Sequence, residues 1–275
     1  MAVPGIPVLN YHAIDPNDPT PSSPKVSVTL SSFKEHMAWL HKEGYKSVSY
    51  EDLRAVILKG KRLHDKYVLI TFDDGYHSIY QYGLEILSKY GFVATIFLST
   101  SFIGKKYDQA DFEFVKHDRQ LTWEEIRELS ANGWSLQSHG YNHVKMTSID
   151  HEALVNEVTL SKNIIEQNVG KTVHEFAFPY GIYNNEVITA LKAAGYECAW
   201  SVHSGKLSPS SGKWHLPRIE INNMDTMDSF KVKVTTGYTS PADARRSKIR
   251  DIAFANPMIK DLIEKWTHKM GYGNR

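Results

Sequence analysis

The chain has 275 residues, of which 41% are hydrophobic and 23% charged, and its formal net charge is +1. That balance is ordinary for a soluble globular protein of one or two domains, and it implies neither nucleic acid nor a strongly anionic surface as partner. No run approaches 18 apolar residues, so no membrane span is expected, and the single Cys198 excludes an intrachain disulfide and a cysteine metal site. Met1–Ala2–Val3–Pro4 lacks the basic and apolar regions of a signal peptide. The 15 tyrosines and six tryptophans suit carbohydrate stacking and core packing alike.

Pro7–Val8–Leu9–Asn10–Tyr11–His12 reads as a short strand ending in a histidine. A loop with Pro16, Pro19, Pro21 and Pro24 follows, too proline-rich for helix or central strand. Val26, Val28 and Leu30 alternate as a brief strand. Ser32, with Glu35 three residues on, predicts a helix start, and Phe33, Met37 and Leu40 form one face ending at Gly44. Lys46–Val48 is a strand candidate, and Ser49 to Lys59 a helix that Gly60 stops. Val68–Leu69–Ile70–Thr71–Phe72 is apolar or β-branched throughout, as a buried parallel strand would be, and it runs into Asp73–Asp74–Gly75.

Ser78 to Tyr90 reads as a helix, Phe92 to Leu98 as another buried strand, and 101–120 as a surface loop. Thr122 with Glu125 makes a capping box for a helix ending near Asn132–Gly133. Trp134–Gln137 is a strand leading into Ser138–His139–Gly140–Tyr141–Asn142–His143, and a long helix covers His151 to Asn168. Glu175–Phe178 is a strand before Pro179–Tyr180–Gly181, Glu186–Ala194 a helix, Tyr196–Val202 and Leu216–Ile219 strands, and 257–270 a terminal helix. Strands and helices alternate along nearly the whole chain, which is the pattern of parallel βα units in a barrel or a doubly wound sheet. No linker divides it, so residues 1–275 read as one domain.

The chemistry collects at strand ends, where α/β folds place their sites. Two adjacent carboxylates repel unless a cation or a shared proton intervenes, which suits one metal ligand and one proton acceptor; the plainer reading of Asp73–Asp74–Gly75 is a turn. His139 and His143 are four apart, a spacing that on a helical turn puts both rings on one face within reach of one divalent ion. Two imidazoles and one carboxylate make an open catalytic zinc set.

Thr71–Phe72–Asp73–Asp74–Gly75 and His139–Gly140–Tyr141–Asn142–His143 resemble the first two motifs of the polysaccharide deacetylases, the carbohydrate esterase family with the NodB homology domain. Phe178–Pro179–Tyr180–Gly181 resembles the third, and the resemblance covers residues 67–220. It implies an α/β fold, a distorted (β/α)7-8 barrel, and a metal-dependent hydrolase that removes acetyl groups from a sugar polymer. Asp74, His139 and His143 would hold the metal, Asp73 would be the general base, and the backbone N–H of Tyr180 would help to stabilise an oxyanion. Zinc is the expected ion, with cobalt, nickel or iron compatible with the donors.

Three departures refine this expectation. Ala177 stands where the third motif usually opens with an arginine, and Arg218 could supply that cation from another strand. The fourth motif is poor, with Trp200 followed by Ser201–Val202–His203 instead of an acidic pattern, so Trp200 could line the acetyl pocket or the core. The family's late-strand acid histidine has no counterpart after His215 until His268. His12, at the end of the first strand, would take that role in a circularly permuted barrel. These features resemble the branch acting on poly-β-1,6-N-acetylglucosamine. The implied partner is an acetylated polysaccharide, met outside the cell or at its surface by a monomeric enzyme. An O-acetyl xylan esterase, a small-amide amidase and a non-catalytic sugar-binding descendant are the competing readings.

Overall fold

The computed structural model describes residues 5–16, 25–63, 66–105 and 118–247. The expected terminal helix with His268, residues 17–24 of the proline-rich loop and residues 106–117 lie outside them. The sheet is built around β5 (Tyr67–Asp74), with β1 (Ile6–Tyr11) parallel on one side and β6 (Ala94–Leu98) parallel on the other. It continues in parallel through β7 (Ser135–Ser138), β8 (Glu175–Ala177) and β9 (Cys198–Trp200). On the far side of β1 lie the two-residue strands β10 (Lys206–Leu207), antiparallel, and β11 (Ile219–Glu220), parallel. Leu216 bridges Trp200 while Ile219 and Glu220 pair with Leu9 and Asn10. One short segment therefore touches both β9 and β1, and the sheet curls into the distorted barrel expected. β4 (Lys46–Ser47) extends it beside β5, and β2 (Ala13–Asp15) pairs β3 (Ser27–Thr29) as a separate ribbon.

The helices are α1 (Leu30–Lys42), α2 (Tyr50–Lys59), α3 (Leu84–Lys89), α4 (Trp123–Ala131), α5 (His151–Val169), α6 (Asn185–Ala193) and α7 (Met227–Thr236). α1 is capped three residues before the expected Ser32, because Thr29 Oγ1 already accepts the Ser32 N–H at 3.1 Å. The Thr122–Glu125 capping box of α4 is present, and Gly60 ends α2 in the left-handed conformation. The expected helix from Ser78 opens as a π-helical turn, Ile79–Gly83, before α3. The strands expected at 196–202 and 216–219 shrink to Cys198–Trp200 and to the Leu216 bridge with β11.

Strand alternation divides the core in two. Leu9, Tyr11, Val68, Ile70 and Phe72 face the helices and pack with Phe33, Met37 and Leu87. Val8, Leu69, Phe97, Ala177, Trp200 and Leu216 face the interior of the curl, whose lower end is closed by Leu53, Val56 and Ile57 of α2. Following the inward rows toward the C-terminal ends leads from Val8 to Asn10, and from Leu69 to Thr71 and Asp73. The apolar floor thus gives way to polar groups at one mouth.

Candidate metal centre

The register sets the level of the site. Asp74 pairs Leu98 across β5 and β6, Leu98 pairs Ser138 across β6 and β7, and the N–H of His139 donates to Leu98 O at 2.9 Å. Asp74, His143 and Tyr180 are the non-glycine residues with positive φ among those described, at 70°, 52° and 58°. Such backbone costs on the order of 1–3 kcal/mol per residue, and it persists where surrounding structure dictates it, commonly at functional sites. At Asp74 it breaks the strand alternation that would otherwise turn the side chain toward the helices with Phe72. Gly75 completes the turn at φ 82°, where a Cβ would sit 3.0 Å from Leu98 Cδ2.

His143 Nε2 lies 3.3 Å and His139 Nε2 3.6 Å from Asp74 Oδ1. One ligating atom from each residue falls within 4.8 Å of the others, the one such group of three among the described residues. All three side chains are buried, and Asp74 Oδ1 accepts no hydrogen bond. A buried carboxylate oxygen so placed is suited to a cation. His139 Nδ1 lies 2.8 Å from Ala177 O; a carbonyl only accepts, so Nδ1 carries the proton and Nε2 keeps its lone pair toward Asp74. Burial lowers the pKa of both histidines to about 4, against the opposing field of Asp73, so both rings are neutral at pH 7 and able to ligate. Burial also raises that of Asp74, against the fields of His12 and His139. The donor set fits a divalent ion.

The two histidines do not share a helical turn, as their spacing suggested. They flank a bend in irregular chain, and the left-handed φ of His143 supplies the convergence. Their rings meet edge-to-face at 4.8 Å, and the His143 ring meets that of Tyr180 at 4.7 Å.

Asp73 belongs to a different network. Arg218, fully buried just before β11, donates from its two terminal nitrogens to Asp73 Oδ1 at 2.6 Å and Oδ2 at 2.8 Å. Its third nitrogen donates to Ser201 O at 3.0 Å, and the guanidinium lies 5.3 Å from the Phe97 ring centroid. Asn10 closes the frame, donating to Asp73 Oδ2 at 3.2 Å and accepting from Arg218 at 3.0 Å. Burial works to raise the pKa of Asp73, but Arg218 and then His139 outweigh it and hold the carboxyl well below its usual range.

A family model for polysaccharide deacetylases matches residues 60–199. YxkH, a protein of that family from Bacillus subtilis (strain 168), is 30% identical over 217 residues, covering 79% of this chain and 71% of its own. The chain belongs to the polysaccharide deacetylase family. The Staphylococcus aureus (strain MSSA476) poly-β-1,6-N-acetyl-D-glucosamine N-deacetylase is 26% identical over 206 residues, which is 72% of this chain and 68% of that protein. Among solved structures, Streptococcus pyogenes deacetylase PplD in complex with acetate superposes with a TM-score of 0.72 at 23% identity, over 86% of this chain and 99% of that one. IcaB from Ammonifex degensii gives 0.71 at 21%, over 84% and 95%. These two likenesses concern the fold.

The other expected residues of this deacetylase-family chain gather at the same mouth. His12 follows β1 directly, is half-buried, and its field acts on Asp73 and Asp74. Tyr180 lies in the tight turn Pro179–Gly181 and is 45% exposed. Ala177 is a small buried side chain of the barrel interior, and the guanidinium in contact with Asp73 is that of Arg218. Trp200 belongs to the barrel core, where its Nε1–H donates to Glu175 Oε2 at 2.6 Å. Sequence reasoning missed Asn10, although a lone amide in an apolar strand is a visible signal.

Proposed function

We propose that residues 1–275 form one metal-dependent N-deacetylase domain acting on poly-β-1,6-N-acetylglucosamine. The observation that carries the reading is the convergence of Asp74, His139 and His143 beside a carboxylate, Asp73, clamped by a buried arginine. The name of the Staphylococcus aureus relative supports the choice of polymer, and a polymer outside the cell, met by a monomeric enzyme, goes with it. No helix among the described residues is long and apolar enough to cross a membrane. Asp74, His139 and His143 would hold the ion, with zinc preferred for two imidazoles and a carboxylate.

A bound divalent ion supplies Lewis acidity toward the acetyl carbonyl and toward a water nucleophile. Asp73, kept ionised by Arg218 and oriented by Asn10, takes the proton from the attacking water. The N–H of Tyr180, fixed in a left-handed turn, donates to the oxyanion that develops on the carbonyl oxygen, a contribution of about 3–4 kcal/mol for such donors. His12 then gives its proton to the leaving nitrogen as the C–N bond breaks, releasing acetate and a free amine.

Acetate release from oligomers of β-1,6-N-acetylglucosamine, chito-oligosaccharides and acetylated xylan tests the reading. The β-1,6 polymer should be the best substrate, and activity should vanish on chelation and return with zinc. No release from any N-acetylglucosamine polymer by metal-loaded protein would sink the proposal. His12→Ala should keep the metal and cut deacetylation by roughly 10²–10⁴-fold, with a smaller loss on an aryl acetate whose leaving group needs no proton. Equal losses on both substrates would remove His12 from the acid role.

A further inference from the structure

The buried face of α5 carries Leu154, Glu157, Val158, Ser161 and Ile165. This is an i, i+3, i+4 stripe of the kind that normally holds apolar residues. A carboxylate in it is costly to bury unless hydrogen bonds replace its water. Glu157 is 5% exposed, and what replaces its water is the loop between His139 and His143. It accepts the Tyr141 N–H at 2.8 Å, the Asn142 N–H at 2.9 and 3.1 Å, and the Asn142 side-chain amide at 2.8 Å. The loop wraps it closely: a Cβ on Gly140, at φ 87°, would lie 3.2 Å from Glu157 Oε2. The next residue beyond these contacts is His143, with its left-handed backbone.

All of these partners are N–H donors, and an ionised carboxylate offers acceptors only. The match is complete with glutamate and fails with glutamine, whose amide would turn its own hydrogens against a donor. We propose that Glu157 is a positioning residue for the metal centre. Its carboxylate folds residues 140–142 so that the imidazoles of His139 and His143 face Asp74. The inference rests on the reading of those three side chains as a metal site. It adds that their affinity is set in part by a residue that touches no ion. Groups that orient metal ligands commonly contribute 10–100-fold to affinity.

Zinc affinity measured by competition with a chromophoric chelator tests this without reference to turnover. Glu157→Gln should bind zinc 10–100-fold more weakly than the wild type, and saturating zinc should restore most of its activity. Ile165→Val, two turns along the same buried face, serves as the packing control: its melting temperature should fall while its zinc affinity stays unchanged. Should Glu157→Gln fail to fold, Asn142→Ala removes the amide contact without touching the helix and should weaken zinc several-fold. Affinities within twofold of wild type in the folded variants would overturn the inference and leave the metal centre standing. A wild-type protein with no measurable zinc affinity would overturn both. An equal loss of affinity in Ile165→Val would reduce Glu157 to general packing and overturn the positioning role.

Discussion

Asp73 and Glu175 both project into the barrel from parallel strands, one toward each end, and their exposures are 2% and 1%. Burial works to raise both pKa values, yet the outcomes are opposite. Asp73 receives both terminal nitrogens of Arg218 and is held well below the usual carboxylate range. Glu175 is pushed up to about 7 by burial, which the Trp200 N–H only partly offsets. An arginine does stand near that lower end, but Arg54 is committed to Glu197, with contacts of 3.0 and 2.6 Å. Burial without a cation in contact therefore makes a carboxyl that holds its proton until close to neutral pH. A guanidinium in direct contact makes one that stays ionised. The identity of the partner, rather than depth, separates the candidate base from a core residue.

The comparison breaks most sharply if the upper carboxylate is neutralised. Asp73→Asn should retain zinc and lose roughly 10²–10⁴-fold in turnover, whereas Asp74→Ala, His139→Ala and His143→Ala should each lose the metal as well. Metal analysis beside acetate release checks the split. Full metal content in Asp74→Ala, or near wild-type turnover in Asp73→Asn, would reverse the roles assigned to the pair.

Removing the guanidinium should make Asp73 behave like Glu175. Arg218→Ala leaves a buried carboxylate without its cation and should lower stability by about 3–5 kcal/mol, read from denaturant melts. In the variant that still folds, burial dominates Asp73, so the acidic limb of the pH–rate profile should move upward while the metal is retained. An unmoved limb at unchanged rate would return Arg218 to a packing role.

The smallest effect on turnover is expected from Glu175→Gln, which should leave deacetylation near wild type and change only how stability depends on pH. The folded pKa of Glu175 lies above the unfolded value, 4.5 rising to about 7, so between those values the folded state holds a proton that the unfolded chain has released. Its contribution is complete below pH 4.5 and is lost as pH rises through 7, at about 1.4 kcal/mol per unit and ~3 kcal/mol in all. Glutamine keeps a partner for Trp200 and cannot titrate. The difference in melting temperature between variant and wild type should therefore move in favour of the variant from pH 5 to pH 8. A constant difference across that range would mean that Glu175 is ionised throughout.

Much of this site was legible along the chain because its donors are local. Asp73 and Asp74 stand together at the end of an apolar strand, and His139 and His143 lie within one five-residue stretch. The alternation of strands and helices announced parallel βα units. α7 escaped notice because its buried face is thin, with Phe230 and Val234 beside Lys233, whose ammonium reaches Asp225 and Glu220 O. Asn10 and Glu157 escaped because each is a polar residue at an inward position of a mostly apolar face. Such a position gains meaning only when the facing group is known.

The sequence by itself determined the alternation of strands and helices, since periodicity acts over a few residues, and its motifs resemble those of the family to which the chain belongs, with Asp74, His139 and His143 among them. It could only suggest that Arg218 replaces the arginine absent at Ala177. The contact joins residues 145 apart and depends on β11 pairing with β1, which in turn lies against β5. Tertiary structure likewise decided how His139 and His143 converge. Their separation of four resembles a helical turn, but the bend is held by Glu157 from another element, and its hydrogen bonds override the local preference.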